Sequence, residues 1–185
     1  MPPPPDIDAM DFAAIEAAVA AQTAAPVETW HPAHCGDSEM RIARDGSWFH
    51  QGAPIGRRDM VRKFATILRR EEDGGYVLVN PAERLTIVVE DAPFVAVRMR
   101  VSGTGTARRI AFQTNVGDIV IAGPDHPLRF EERDDGPHPY LRVRGGLEAL
   151  VARPLYYDLA ELALADGGDP PGVWSDGVFF ALAAA

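Results

Sequence analysis

Two carboxylates stand side by side in Val88-Val89-Glu90-Asp91-Ala92-Pro93-Phe94, between two apolar runs. An acid held among apolar strands has its pKa raised by desolvation, which suits a general base. Asp and Pro are also favoured turn residues, and Pro93 can open a strand without donating a hydrogen bond. Adjacent strand residues point to opposite faces, so Glu90 and Asp91 are not expected to serve one substrate atom. The turn reading is the stronger. His126, in His126-Pro127-Leu128-Arg129, is the best-placed acid–base residue by type. A small hydrolase or acid–base enzyme would join His126 to Glu90 or Asp91. No nucleophile sits at a recognisable spacing, and Ser175 lacks the small-residue elbow of a hydrolase serine, so it reads as a turn residue.

A second group is basic. Residues 41–70 hold eight Lys or Arg against Asp45 and Asp59, within a chain of net charge -9. Arg41, His50, Arg57, Arg58 and Arg62 are expected to converge where a hairpin meets a helix start, whose free N–H groups favour anions. Trp48 is available to stack on a planar ligand. Asn115 and Arg129, beside the longest polar stretch, complete the candidate ligand-binding set. Against this, basic residues on a helix face are commonly just solvated, and no Gly-x-Gly-x-x-Gly or Gly-x4-Gly-Lys cradle occurs.

His31, His34, Cys35 and Asp37 have metal-ligating types, but no second pair follows at zinc-site spacing. No metal and no cofactor is expected. The expected partner is a small anion, a protein or a second copy of the chain. The acidic total disfavours nucleic acid, including a single strand along 41–70.

These groups depend on elements that periodicity outlines. A helix is expected from Asp8 to Gln22, where Phe12, Ile15, Ala18 and Val19 recur at helical spacing, followed by a loop over 26–38. Asp45-Gly46 predicts a two-residue type I′ hairpin, with Ile42 opposite Phe49, Ala43 opposite Trp48 and Arg41 opposite His50. Residues 52–56 break the strand. Met60, Val61, Phe64, Ile67 and Leu68 form the apolar stripe of a helix over 57–71. Strands are expected at 76–79, 84–89, 94–101, 109–114 and 119–121, mainly antiparallel because their connections are short. Residues 123–139 read as a long polar loop, 140–143 as a strand, and Leu147, Leu150 and Val151 as a helix kinked or restarted at Pro154. A turn at 172–177 leads to a closing strand. Tyr140, Tyr156, Tyr157, Trp174, Phe179 and Phe180 are core residues by default, or a partner surface where exposed.

The order of aromatic strand, glycine break, helix, Gly-Gly stop and strand occurs at 48–79 and again at 140–182, which suggests a duplicated β-α-β-type unit. The expected class is α+β, mainly antiparallel strands with packed helices and two similar units. The expected division is a disordered Pro-rich start, helix and loop over 1–36, a first unit over 37–80, and a strand-rich middle with a second unit over 81–185. The single Cys35 excludes an internal disulfide framework, and no apolar run approaches the length of a membrane span. With no basic, apolar leader at the start, the expected location is the cytoplasm.

The sequence resembles the mainly proteobacterial family named domain of unknown function 1285. The resemblance runs through Asp45-Gly46, Pro54-Ile55, Ile67-Leu68-Arg69-Arg70-Glu71, Glu90-Asp91-Ala92-Pro93-Phe94, Thr114-Asn115 and His126-Pro127-Leu128-Arg129. It closes with Pro139-Tyr140-Leu141 and Gly172-Val173-Trp174-Ser175. It implies a two-part α+β protein with repeated motifs and a suggested role in signal transduction. It implies no catalytic residues. Asn80 stands before Pro81 where the family pattern leads one to expect Thr. The reading is a non-enzymatic module for a small anionic, nucleotide-like ligand or a protein.

Overall fold

Strands cannot be left alone in water with one face apolar, and the chain solves this by building two sheets on one shared core. A computed structural model describes residues 3–182. The first sheet contains β1 (His34–Ile42), β2 (Trp48–His50), β3 (Ala53–Pro54), β4 (Leu68–Arg70), β5 (Tyr76–Val79) and β6 (Glu83–Val89), with α2 (Arg58–Thr66) between β3 and β4. The second contains β7 (Phe94–Ser102), β8 (Arg109–Thr114), β9 (Ile119–Ile121), β10 (Leu128–Arg133), β11 (Gly136–Arg144) and β12 (Leu147–Val151). Helix α1 (Phe12–Ala21) precedes them. Helix α3 (Arg153–Asp166) and a hairpin of β13 (Gly172–Ser175) and β14 (Val178–Ala181) follow.

The strand orders are β3-β2-β1-β6-β5-β4 and β9-β8-β7-β12-β11-β10, the same path in both sheets. Each is a pair of three-stranded meanders, joined where the unit's first and last strands run parallel: β1 with β6, and β7 with β12. All other pairings are antiparallel. The chain is α+β with a repeated unit, as expected. The repeat spans 34–89 and 94–151 rather than 48–79 and 140–182, and only its first copy holds a helix between the meanders.

Several local expectations are corrected. Within 26–38, β1 begins at His34. At 45–46 only Gly46 has positive φ, at 80°. Gly46 N donates to Ala43 O and Ala43 N to Ser47 O, each at 2.9 Å, which makes a three-residue turn with a glycine bulge. The Asp45 carboxylate accepts from Ser47 N, and that hydrogen bond holds its pKa below the ordinary value. The register therefore slips by one: Ile42 faces Trp48, Arg41 faces Phe49 and Met40 faces His50. The two-residue turn with both φ positive lies elsewhere, at Gly145-Gly146 between β11 and β12. There the predicted helix at 147–151 is a strand. Pro154 lies in the first turn of α3, so of the two alternatives expected there the helix starts rather than kinks, and Gly167, at φ 65°, closes it.

The helix expected over 57–71 stops at Thr66, and Leu68, Arg69 and Arg70 pair with Leu78, Val77 and Tyr76. The glycines at 74–75 are the tip of this hairpin, not a helix stop. Residues 52–56 are not wholly broken, since Ala53 and Pro54 pair with His50 and Phe49. Most of 123–139 is the β10–β11 hairpin. Pro137 and Pro139 fit because β11 meets β12 only from Tyr140 onward, so neither lacks a hydrogen bond that β12 would require. Gly172–Ser175 is a strand, and buried Ser175 accepts from Ile110 N at 2.9 Å and donates to Ala122 O at 2.6 Å.

Ile42, Trp48 and Leu78 of the first sheet pack with Phe94, Phe112, Leu141 and Leu147 of the second in one continuous core, which α3 and the C-terminal hairpin close. Of the aromatic group, Tyr140 and Phe180 are buried, whereas Tyr157 is 57% exposed. Helix α1 is capped by Asp11, whose side chain accepts from Ala14 N at 2.8 Å. It lies not on the adjacent first sheet but on the second, where Ile7 and Ile15 pack with Ala111 and Ile119. Met1 and Pro2 of the Pro-rich start lie outside the described residues. Pro3–Pro5 have no regular structure, yet the Pro5 carbonyl accepts from Gln113 at 2.5 Å. Among the described residues, no helix is long and apolar enough to cross a membrane.

Arg108, 4% exposed, is held by both Asp166 oxygens at 2.5 and 2.9 Å at the end of α3. The hydrogen bond from Arg108 keeps the Asp166 carboxyl below its ordinary pKa, so its contribution is present at neutral pH and lost as pH falls through the folded value. Asp166→Asn is expected to lower stability by about 2 kcal/mol at pH 7. The deficit should shrink below about pH 4, as urea titrations at both pH values will show.

Candidate functional site

Glu90 and Asp91 form the short link between the two units, and each holds a different one. Glu90 pairs with Arg41 and accepts from Arg44 N at 3.2 Å, which ties it to the β1–β2 hairpin. Asp91, whose side chain is 7% exposed, accepts from Arg133 at 3.1 and 3.2 Å and from the Tyr140 hydroxyl at 2.8 Å. Burial, with that hydrogen bond, pushes the Tyr140 phenol well above its ordinary pKa. Arg129 stacks over the Tyr140 ring at 4.1 Å and binds both oxygens of Glu148 at 2.8 Å, while Glu131 joins Arg129 to Arg133. This closed ring of charges leaves Asp91 no spare role in proton transfer.

The other expected ligand residues are not gathered. Arg41 is engaged by Glu90 and lies over Phe49 at 4.2 Å. Trp48 is 2% exposed and stacked on Phe64, so the slipped register has buried the ring expected to meet a ligand. His50 is exposed on β2, and Arg57 and Arg58 are exposed at the start of α2. Asn115 has a structural task between the units: its carboxamide accepts from Val95 N at 3.1 Å and donates to Gly46 O at 3.2 Å. A Cβ at Gly46 would come within 2.5 Å of Asn115 Nδ2, so glycine is required there twice over. At Asn80, where Thr was anticipated, the side chain accepts from Ala82 N and Glu83 N and caps the β5–β6 turn. His34, Cys35 and Asp37 all lie on the exposed start of β1.

A cavity of about 370 Å³ opens instead where the end of α1, the inner side of α2, the β8–β9 turn and the end of β11 meet. Val19, Ala65, Val116 and Val143 give it apolar walls; Arg62, Arg144 and Asp118 bring charge to it, and His126 a ring nitrogen. Arg144 joins the units: it donates to Ala65 O in α2 at 2.7 Å, pairs with Asp118, and lies over the Phe94 ring at 5.1 Å. Gln22 meets the backbone of Ile119 on both sides, at 2.6 and 2.8 Å, and fixes the end of α1. His126 Nδ1 lies 3.1 Å from Arg142 O. A carbonyl only accepts, so Nδ1 carries a hydrogen, and Nε2 is the ring nitrogen left to meet a ligand, as a donor to an anion when it too carries a hydrogen. Neither Glu90 nor Asp91 lines this cavity.

Of the predicted site residues, His126 and Arg62 line the cavity. Arg62, anticipated with the basic group, reaches it from α2. Arg144, Asp118 and Gln22 were missed; the Val143-Arg144 pair before two glycines carries no chemical signal by itself. Asp91→Ala, which strips Arg133 and the buried Tyr140 hydroxyl of their shared acceptor, is expected to cost about 3 kcal/mol in urea unfolding.

Two family models match the chain: the DUF1285 N-terminal domain, of unknown function, over residues 25–92, and the DUF1285 C-terminal domain over 93–182. A crystal structure of a DUF1285 family protein from Silicibacter pomeroyi DSS-3 shares 46% identity at a TM-score of 0.80, covering 91% of this chain and 93% of that one. A second, from Shewanella baltica OS155, shares 25% identity at a TM-score of 0.53, covering 66% of this chain and 91% of that one. No curated protein matches. The two models meet between Ala92 and Pro93, in the link between the sheets, and the chain belongs to the DUF1285 family.

Proposed function

We propose that this chain is a non-enzymatic binding module for a small organic anion, held in the cavity between its two units, and that occupancy is relayed to a protein partner in cytoplasmic signalling. The observation that carries this reading is the convergence of Arg62, Arg144 and His126 on one apolar-walled cavity, where the lining carboxylate of Asp118 pairs with Arg144 and Asp59, outside the lining, meets Arg62 at 3.4 Å. Its volume, about 370 Å³, lies in the range of small-molecule sites. The apolar walls suit a ligand with an uncharged body, and the cationic groups suit a carboxylate or phosphate at one end.

Catalysis is the weaker reading. His126 leans on a backbone carbonyl rather than a carboxylate, and Glu90 and Asp91 are committed elsewhere. The structural basis for relay is that the cavity touches α1, α2 and the second sheet together. A ligand bridging them is a further tie between units already joined by Arg144 and by the Arg70 to Gly146 O hydrogen bond.

A ligand at about 100 times its Kd adds close to 3 kcal/mol to folding stability, a shift that melting curves resolve. In a screen of phosphate- and carboxylate-bearing metabolites, at least one is expected to raise Tm. His126→Ala should remove more than half of that rise, while Arg57→Ala with Arg58→Ala, at positions that do not line the cavity, should leave it intact. A screen without any shift, or a shift that survives His126→Ala and vanishes in the double variant, rejects the proposal.

A further inference from the structure

An open sheet has two edges, and each edge strand presents N–H and C=O groups that attract another strand unless they are covered. Three of the four edges of the two six-stranded sheets are dealt with. Strand β3 is two residues long and ends in Pro54. Strand β4 lies beside residues 27–30, whose Val27 and Trp30 carbonyls accept from Arg69 at 2.7 and 2.9 Å. Strand β9 is capped by the Gln22 carboxamide. The fourth edge, β10, is six residues long, Leu128-Arg129-Phe130-Glu131-Glu132-Arg133, and its sheet ends there.

Arg142 N donates to Pro127 O, so alternation along the ladder makes residues 129, 131 and 133 the ones that bond to β11. The backbone groups of Leu128, Phe130 and Glu132 consequently face outward. No described residue hydrogen-bonds to them: β14 lies near β10 but belongs to the separate β13–β14 hairpin, and of the three residues Glu132 is exposed, Phe130 half-buried and Leu128 buried.

We propose that this edge is the interface of a homodimer, in which β10 strands of two copies pair antiparallel about a two-fold axis at Phe130. In that register, Leu128, Phe130 and Glu132 meet Glu132, Phe130 and Leu128 of the second copy through their outward backbone groups. Arg129 then stands opposite Glu131 of the second copy, and Glu131 opposite Arg129, so opposite charges meet twice. Moving the axis one residue either way sets Arg129 against Arg129 or Glu131 against Glu131. Charge therefore selects one register, and the strand is complementary to itself, as an isologous interface requires. The proposal stands apart from the cavity, none of whose lining residues lies on β10.

The edge is short, so the dimer is weak and depends on concentration. Sedimentation of the full chain up to about 1 mM is expected to show a reversible monomer–dimer equilibrium. Glu132→Pro removes one outward N–H without removing a bond to β11, and proline is tolerated on an edge. It should weaken dimerisation at least tenfold and leave the urea midpoint near that of wild type, while Glu132→Ala dimerises normally. Hydrogen exchange of the wild type gives a readout that needs no variant: the amides of Phe130 and Glu132 should slow as concentration rises. A wild type that stays monomeric throughout, a Glu132→Pro chain that dimerises as well as wild type, or exchange independent of concentration each overturns the proposal.

Discussion

A parallel strand pair cannot be closed by a tight turn, and both sheets are organised by that constraint. In each unit the first and last strands lie side by side at the centre, so the sheet is complete only when its final strand has arrived. Two hairpin-rich meanders, each easy to form locally, are locked together by one long-range pairing. The same closure brings Ile42 beside Val89, so the first unit ends close to where its first meander turns. The link that follows is short, and its two carboxylates grip the hairpin of one unit and the β10–β11 strands of the other.

The sequence is legible where a single periodicity decides. Strands at 76–79, 84–89, 94–101 and 109–114 alternate or run apolar between clear breaks, and α1 has a capping Asp11 and a helical stripe. It misleads where two structures share one pattern. Ile67-Leu68 continues the apolar spacing of α2, yet the glycines ahead allow Leu68–Arg70 to fold back on β5. Leu147, Leu150 and Val151 read as a helical stripe because, with Ala149, four apolar residues in five fit either period. Asp45-Gly46 and Gly145-Gly146 both signal a hairpin; which one takes the two-residue form depends on whether the first turn residue accepts positive φ, as Gly145 does. That one-residue difference buried Trp48.

The cavity was illegible for another reason. Its charged and polar members come from the end of α1, from α2, from the β8–β9 turn, from the β9–β10 connection and from the far end of β11, five places with no common spacing. Only tertiary pairing assembles them. His126 was legible by residue type; its neighbours depend on α1 crossing to the second sheet, which no local pattern announces.

That crossing bears on synthesis. Helix α1 is made before either sheet, yet its seat is β9, where Gln22 meets Ile119 across 97 residues of sequence. A nascent chain halted after the first sheet would hold a helix with nowhere to dock, so Ile7 and Ile15 would stay in water until the opening strands of the second sheet had emerged. The boundary that divides the family into two halves is thus no line along which the polypeptide can be cut into independent pieces: the amino-terminal half carries part of the other half's interior.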